Sequence, residues 1–206
     1  MNDQSPQPPY MTLYSEALLP TEWGDFYTKV YRDAEGQEHM AIYQGELSGD
    51  EPTLVRVHSA CFTGEALSSL KCDCKAQLER ALQEINRAGR GVVVYLFQEG
   101  RGIGLGNKIK AYALQAQGFD TVDANTALGF EEDARRYEGA VAILQDLGVS
   151  QVRLMTNNPL KVEALERAGL KVADRVAIEV GRNEVNSAYL DTKRDRMRHM
   201  LSSEGE

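Results

Sequence analysis

The feature of the sequence that most constrains its fold is an unbroken apolar run, GVVVYLF, at residues 91–97. The run is short and rich in β-branched valine, which is typical of a strand covered on both faces. Just before it, residues 74–88 place apolar side chains on one helical face, and Gly89 ends that pattern. The sequence therefore predicts a helix that leads directly into the central strand of a sheet.

The segments on either side of this run predict one α/β domain. Three β-like segments, at 24–31, 39–47 and 53–59, are separated by turn-forming stretches and predict an antiparallel opening. Beyond the run, the pattern predicts helices at 107–117, 131–147 and 159–168, strands at 151–156 and 170–180, and a charged terminal helix at 187–201. With 206 residues, 42% of them hydrophobic, the chain suits a single core: antiparallel N-terminal strands followed by a mixed sheet with flanking helices.

Composition limits the cellular setting and the partners. Prolines such as Pro6, Pro9 and Pro20 interrupt residues 1–20, so no regular element is expected there. The sequence shows neither a signal-peptide pattern nor an apolar run long enough to span a membrane, and we expect a soluble cytoplasmic protein. A net charge of -8 disfavours a general nucleic-acid or membrane surface, so an anionic ligand would need a focused basic pocket.

All three cysteines lie close together, at Cys61, Cys72 and Cys74. Disulfides are rare inside cells and an odd number leaves one thiol over, so metal ligation is the leading interpretation. The alternative is ordinary core side chains, but Cys72 and Cys74 are spaced too closely for one helical face. Three ligands would leave a fourth tetrahedral position open, as in catalytic zinc sites, whereas a structural site would also recruit His58 or Asp73.

A glycine-rich stretch, QEGRGIGLGNK at residues 98–108, follows the predicted central strand directly. Its exposed backbone N–H groups, together with Arg101 and Lys108, would suit a phosphate group. The glycine spacing matches neither a dinucleotide-binding fingerprint nor a P-loop. An ordinary turn is the alternative, although the end of a buried strand is a common place for a ligand site.

Other polar residues have a structural interpretation beside a functional one. Tyr112 lies on the apolar face of its predicted helix and could be a core tyrosine. The carboxylates of residues 131–133 open a predicted helix, where the helix dipole accounts for them without catalysis. Arg135 would not share a helical face with Asp133, so their cooperation requires an irregular segment. Lys161 follows a turn and is either a phosphate ligand or an exposed first-turn lysine.

From about Leu19 to Leu201 the sequence resembles GTP cyclohydrolase II. The resemblance is carried by RVHSACFTGEAL, KCDC, QEGRGIGLGNKIKAYALQAQG, DTVDAN, LGFEEDARRY, LMTNNPLKV and VGRNEVNSAYLDTK. Several long motifs in this order make the similarity specific. It implies a flexible N-terminal segment at 1–18, a catalytic domain at 19–201 and a flexible tail at 202–206.

The resemblance also implies a set of site residues. One Zn²⁺ per subunit would be held by Cys61, Cys72 and Cys74, and Mg²⁺ would accompany the triphosphate. The residues implied in catalysis are Tyr112 as a hydrogen-bonding or proton-transfer partner, Asp133 as general base, and Arg135 as nucleophile or stabiliser at the α-phosphate. The nucleotide site would include Arg56, Val57, His58, Ser59, Gln77, Glu99, Gly100, Arg101, Thr121, Thr156 and Lys161.

The implied reaction is the first step of riboflavin biosynthesis. GTP would lose pyrophosphate, water would add at C8 of the imidazole ring, and formate would be released. The expected partners are GTP and a second copy of the chain in a homodimer, without nucleic acid or membrane. Two alternatives stay open: a paralogue with a partial product or a role in secondary metabolism, and a non-catalytic GTP-binding zinc module.

Two residues depart from the family pattern beside the cysteines. Ala60 stands where glutamate is usual, and Lys75 stands where glycine is usual. The first change removes a carboxylate next to Cys61, and the second adds a cation next to Cys74. We therefore expect the affinity for the metal or the ligand to differ from that of typical relatives. Because Tyr112 is retained, the pattern favours full processing to 2,5-diamino-6-(5-phosphoribosylamino)pyrimidin-4(3H)-one.

Overall fold

The computed structural model describes residues 11–130, 134–195, 198, 200 and 201. The strands in this part of the chain are β1 (Thr12–Thr21), β2 (Gly24–Arg32), β3 (Glu38–Gln44), β4 (Thr53–Ser59), β5 (Gly91–Leu96), β6 (Gln151–Met155) and β7 (Lys171–Val176). The helices are α1 (Phe62–Glu65), α2 (Cys74–Ala88), α3 (Leu105–Gln115), α4 (Thr121–Ala127), α5 (Glu138–Asp146), α6 (Pro159–Arg167) and α7 (Ser187–Asp195). Together they form one α/β domain, as the sequence predicts.

The predicted central strand is confirmed. The sheet has the order β1-β2-β3-β5-β4-β6-β7, so β5 is the middle strand. Val92 and Val94 face a core that includes Ile143 and Leu144 of α5, whereas Val93 faces the layer formed with Ile85 of α2. All three valines are fully buried, so apolar and polar residues do not alternate here as they do in a strand with one exposed face.

The antiparallel opening predicted for residues 24–31, 39–47 and 53–59 is confirmed for the first two segments, which form β2 and β3, and is wrong for the third, which forms β4. Strands β1, β2 and β3 form an antiparallel meander, and β3 also pairs antiparallel with β5. Strand β4 instead runs parallel to both β5 and β6. The reason is that α1 and α2 connect β4 to β5 as a crossover, which places the two strands side by side in the same direction.

The expectation that residues 1–20 hold no regular element is wrong for Thr12–Pro20. This segment belongs to β1, whose backbone pairs with β2 from Thr12 to Thr21. Pro20 is tolerated because β1 is the edge strand, where a missing N–H removes no central ladder bond. The strand crosses the boundary predicted at residue 18, while residues 1–10 and 202–206 lie outside the described part of the chain.

Several predicted boundaries also shift. The helix predicted at 131–147 begins at Glu138, and residues 134–137 are not helical. The strand predicted at 170–180 ends at Val176, and α4, which has no clear apolar periodicity, is an element that the pattern does not predict. Among the described residues, no helix combines the length and the apolar character needed to cross a membrane.

Candidate functional site

A cleft of about 520 Å³ opens beyond the carboxyl ends of β4, β5 and β6. These three strands are parallel, so the segments that follow them meet at one edge of the sheet. The segment after β4 carries Cys61, the glycine-rich turn follows β5, and residues 156–158 follow β6. The topology therefore brings together motifs that are far apart in sequence.

Most of the predicted site residues line this cleft. From β4 and the segments around α1 and α2 these are Arg56, His58, Ser59, Cys61, Cys72, Cys74 and Gln77. From the elements beyond β5 they are Glu99, Gly100, Arg101, Tyr112 and Arg135, and from the end of β6 and α6 they are Thr156 and Lys161.

Three predicted residues are not among the lining residues. Val57 is fully buried in the apolar core, because side chains alternate along β4 and its neighbours face the cleft. It contributes through its backbone carbonyl, which accepts a hydrogen bond of 2.9 Å from Lys161 Nζ. Thr121 is the first residue of α4, next to Asp120, which lines the cleft. Asp133 lies outside the described residues.

The three cysteines form one cluster, with their sulfur atoms all within 4.8 Å of one another. Cys61 Sγ and Cys72 Sγ are 3.6 Å apart. Gly64 packs against this cluster: a Cβ at that position would lie 2.7 Å from Cys72 Sγ and 3.2 Å from Cys61 Sγ. The sulfur atoms therefore converge into a space that the chain leaves open by using glycine.

The charges around the cluster favour a bound cation. Hydrogen bonds from Cys72 and Cys74, and the ammonium of Lys108 at 3.0 Å, hold the pKa of the Cys61 thiol far below its usual range. The same contacts with Cys61 raise the pKa of the other two thiols. Three thiolates this close together repel one another, and a cation between them would offset that repulsion. The donor set fits a divalent metal such as zinc.

The polar neighbours that a closed structural site would recruit are already engaged. His58 Nε2 contacts Glu65 Oε1 at 2.8 Å. Asp73 accepts hydrogen bonds from Lys193 at 2.8 Å and from Gln77 at 2.6 Å. Within the described part of the chain, the candidate metal-ligand cluster therefore consists of the cysteines alone.

His58 is a buried neutral group beneath the cleft. Burial lowers the pKa of His58 more than its contact with Glu65 raises it. Its Nδ1 has no hydrogen-bond partner among the described residues. Glu65, which the sequence analysis does not single out, also accepts hydrogen bonds from the Cys61 backbone and the Tyr95 hydroxyl. It therefore ties β4 and β5 to Cys61.

The glycine-rich turn is held by Glu99. This carboxylate accepts hydrogen bonds from the backbone N–H groups of Phe62 at 2.6 Å and Gly100 at 2.8 Å, and from Lys108 at 2.8 Å. Gly100 and Arg101 both adopt left-handed backbone angles, with φ values of 62° and 61°. For arginine this conformation is strained, which is typical of functional sites.

Arg101 is placed to bind an anion. Its Nη2 contacts the Tyr189 hydroxyl at 3.4 Å, and its buried Nη1 has no hydrogen-bond partner among the described residues. A buried guanidinium nitrogen without a partner is costly unless a ligand supplies an acceptor. This arrangement favours the phosphate interpretation over that of an ordinary turn.

Arg135 reaches the cleft from an irregular segment, the condition that its cooperation with Asp133 requires. The neighbouring backbone N–H groups are bound elsewhere: that of Ala134 donates to the Arg101 carbonyl at 3.2 Å, and that of Arg136 donates to Gln98 Oε1 at 3.1 Å. A Cβ on Gly102 would lie 2.9 Å from the Ala134 carbonyl oxygen. The glycine in the turn thus lets the Arg135 segment approach.

The positions of Tyr112 and Lys161 each exclude one of the alternatives that the sequence leaves open. Tyr112 is partly exposed in the cleft, so the core-tyrosine interpretation is wrong. Burial raises its pKa, against the effect of a hydrogen bond with Thr63. Lys161 is only 4% exposed, so it is not the solvated first-turn lysine that the sequence allows.

Two residues of α7, Tyr189 and Lys193, also line the cleft, although the sequence pattern does not predict them as site residues. They lie within the motif NSAYLDTK, which supports the family resemblance, but a lysine in a charged terminal helix is typical of an exposed surface. Of the two departures from the family pattern, Ala60 lines the cleft, whereas Lys75 is exposed and donates to Ser68 Oγ at 2.9 Å.

Comparisons with known proteins agree on one family. The family model described as GTP cyclohydrolase II matches residues 12–177. The chain is 56% identical over 189 residues to a GTP cyclohydrolase-2 of Cronobacter sakazakii, covering 91% of this chain and 96% of that protein. It is 54% identical over 187 residues to a GTP cyclohydrolase-2 of Shewanella amazonensis, covering 90% and 91%. A riboflavin biosynthesis protein RibBA of Chlorobium phaeovibrioides is 56% identical over 91% of this chain, which spans 46% of that longer protein.

Proposed function

Because this chain belongs to the GTP cyclohydrolase II family, we propose that it hydrolyses GTP in the first step of riboflavin biosynthesis. The reaction opens the guanine imidazole ring at C8 and gives formate, pyrophosphate and 2,5-diamino-6-(5-phosphoribosylamino)pyrimidin-4(3H)-one. One observation carries this assignment: the three-cysteine cluster and a set of buried cations face the same cleft. In this proposal the cysteines would hold the metal for ring opening, and the cations would bind the triphosphate.

The metal of this proposal is one zinc ion per subunit, held by Cys61, Cys72 and Cys74. When bound, zinc supplies a Lewis acid that makes water nucleophilic near neutral pH. Three thiolates donate more negative charge than three imidazoles would, so we expect neighbouring groups to assist proton transfer. The partly buried Tyr112 hydroxyl, in the same cleft, is suited to that task, and Asp133 is proposed as the general base.

The cations of the cleft divide according to the part of GTP that they would meet. Arg101 at the glycine-rich turn and Lys161 on α6 are proposed to bind phosphate oxygens, which accept charge-assisted hydrogen bonds. Arg135 is proposed to act at the α-phosphate, where it stabilises the departing pyrophosphate or attacks the phosphorus. Stabilisation is the more economical role, since guanidinium stays protonated in proteins. Magnesium on the triphosphate would neutralise the remaining charge.

The proposal includes a homodimer and a cytoplasmic setting. The hairpin formed by β1 and β2 exposes large apolar side chains, including Tyr14, Leu18 and Tyr27, each of which is more than half exposed. Several exposed large apolar side chains on one hairpin are typical of an interface between subunits. Three cysteines that form no disulfide and are proposed as metal ligands fit the reducing cytoplasm.

The direct test incubates the purified protein with GTP, zinc and magnesium and measures formate and pyrophosphate together. We expect the two to appear in equal amounts, with the diaminopyrimidine as the organic product. Chromatography of that product separates the main proposal from a paralogue, which would yield a formylated or otherwise different compound. Recovery of unchanged GTP would instead support a non-catalytic binding module.

Two substitutions separate the cleavage that releases pyrophosphate from the ring opening that releases formate. Cys72→Ser should lose the metal and stop formate release, while Arg135 still promotes cleavage at the α-phosphate, so that GMP and pyrophosphate accumulate. Arg135→Ala should stop both products if phosphate cleavage comes first. Folding and zinc content are checked for each variant. Formate release by folded, zinc-free Cys72→Ser protein would contradict the role of the metal, and loss of both products in that variant would show that the events are coupled.

A further inference from the structure

The C-terminal segment 181–195 is docked on the turn that carries two of the cysteines. The Asn183 side chain donates a hydrogen bond of 3.3 Å to the Leu70 carbonyl. A Cβ on Gly181 would lie 2.8 Å from the Ala76 side chain and 3.4 Å from that of Asp73. Backbone and side chains of this segment therefore pack closely on both sides of Cys72 and Cys74.

A buried ion pair joins this C-terminal segment to the turn. Lys193 Nζ on α7 lies 2.8 Å from Asp73 Oδ1, and the two residues are 9% and 4% exposed. Asp73 stands between Cys72 and Cys74 in the sequence, so the pair acts on the turn itself. The other carboxylate oxygen of Asp73 accepts a hydrogen bond of 2.6 Å from Gln77. Both oxygens are thus held in place.

The charges explain why this turn needs a lysine from a distant element. Three thiolates around a divalent cation carry one net negative charge, and the buried carboxylate of Asp73 adds another beside it. Lys108, at 3.0 Å from Cys61 Sγ, offsets charge on one side of the cluster. Lys193 does so on the other side, because it meets Asp73 directly. Without it, an unpaired buried carboxylate would remain next to the metal ligands.

We propose that Lys193 is a positioning residue that holds the turn of Cys72, Asp73 and Cys74 in the shape needed to retain the metal. This inference rests on the proposed function, which supplies the metal, and it goes further by giving the C-terminal helix a part in the site. Removing a group that contacts and orients a metal ligand commonly lowers metal affinity by about 10–100-fold. The rival explanation is that the ion pair only stabilises the fold.

A set of variants separates these explanations. Lys193→Met leaves Asp73 buried and unpaired, which destabilises any protein in which such a pair is broken. The double variant Asp73→Asn with Lys193→Met removes both charges and keeps an acceptor for Gln77. The matched control is Arg182→Met, which breaks the exposed pair of Arg182 with Asp191 in the same segment. Each protein is loaded with zinc. Its rate of zinc release to a chromogenic chelator and its thermal unfolding midpoint are then each compared with the wild-type values.

We expect Lys193→Met and the double variant to release zinc roughly tenfold faster than the wild type or more. The double variant should keep a near wild-type thermal midpoint, and Arg182→Met should match the wild type in both measurements. A double variant that released zinc at the wild-type rate would overturn the inference. A double variant that failed to fold would also overturn it, since the pair would then be a requirement of the fold.

The zinc-release rates do not depend on turnover, so this inference and the proposed function can fail separately. Wild-type protein that retains zinc but releases no formate from GTP would contradict the function and leave the role of Lys193 to be decided by the rates. Active wild-type protein whose zinc is held equally well in the double variant would contradict only the role of Lys193. A wild-type protein that bound no zinc would overturn the inference.

Discussion

Gly64 is the residue on which the convergence of the sulfur atoms depends most directly. It lies on α1, where its backbone approaches Cys61 and Cys72, and a single methyl group would meet Cys72 Sγ at 2.7 Å. A contact of that length forces either the helix or the cysteine to move. Even alanine at this position is therefore expected to displace the helix or the cysteine sulfur.

We therefore predict that Gly64→Ala lowers zinc affinity by about tenfold or more, because displaced sulfur atoms bind the metal poorly. Competition with a chelator measures the effect. The control is Gly106→Ala, because a Cβ on Gly106 of α3 would meet no atom within 4 Å and alanine favours a helix. Equal zinc affinity in the two variants would show that the cluster tolerates the extra methyl group.

Because His58 is buried, it makes the stability of the folded protein depend on pH. Its neighbours are Glu65 on α1, Arg56 on the same strand, Lys161 on α6 and the stacked ring of Tyr95 on β5. Burial first, and then the two cations, lower its pKa in the folded state below the ordinary value of 6.5. Between the two pKa values the unfolded chain binds more protons, so stability falls as the pH falls below about 6.5.

We predict that His58→Gln makes the free energy of unfolding less dependent on pH between pH 7 and pH 5. Each unit by which the folded pKa is depressed contributes about 1.4 kcal/mol to the wild-type loss. Urea unfolding at a series of pH values measures this slope. A variant whose slope matches that of the wild type would assign the acid sensitivity to other groups.

At the scale of elements, the glycine-rich turn joins the two halves of the cleft. Glu99 binds it to the segment that follows Cys61, and the Arg101 carbonyl binds it to the segment of Arg135. The turn also directs the Arg101 side chain toward Tyr189 of α7, with Nη1 left for a ligand. A single loop therefore positions the segment after Cys61 and the segment of Arg135 relative to each other.

We predict that Arg101→Ala weakens binding of GTP by roughly ten- to hundredfold, the usual effect of losing a charge-assisted hydrogen bond. Guanosine, which has no phosphate, should lose much less. Calorimetric titration of both ligands measures the difference. Arg153→Ala is the matched control, since this side chain is half exposed and pairs with Asp174 away from the cleft. Equal losses for GTP and guanosine would reject the phosphate role.

The elements of this fold differ in how far the sequence determines them. Strand β5 and helix α2 are predictable because the apolar pattern of each is local. The direction of β4 is not, since it depends on a crossover that the flanking turns do not specify. In the site, the motifs after β4, β5 and β6 are recognisable, but the contacts of Lys193 and Glu65 are not. A buried lysine in a charged helix becomes recognisable only when the partner across the fold is known.

At the scale of the whole molecule, the exposed hairpin is the feature that bears on assembly. Leu18 of β1 lies opposite Tyr27 of β2, and the two side chains are 54% and 55% exposed. We predict that Leu18→Lys converts the proposed homodimer to monomers, because a charge at this pair would be buried in the proposed interface without a partner. Light scattering on a sizing column measures the mass against the 22.9 kDa chain.

The control for this prediction is Glu22→Lys, a charge change at the tip of the same hairpin, outside β1 and β2. It should leave the mass unchanged. A Leu18→Lys protein that kept the mass of two chains would place the subunit interface elsewhere on the molecule.

The insertion of β5 between β3 and β4 also orders events during synthesis. Strands β1 to β3 leave the ribosome first, and their hairpin-connected meander can form at once, but the inner edge of β3 keeps unpaired backbone groups until β5 arrives. At a synthesis rate of roughly 5–20 residues per second, the crossover that precedes β5 keeps that edge open for seconds. During that interval a neighbouring nascent chain can offer a competing strand. Because the fold places the valine-rich strand β5 at the centre of the sheet, the inner edge of β3 stays exposed until about half of the chain has been made.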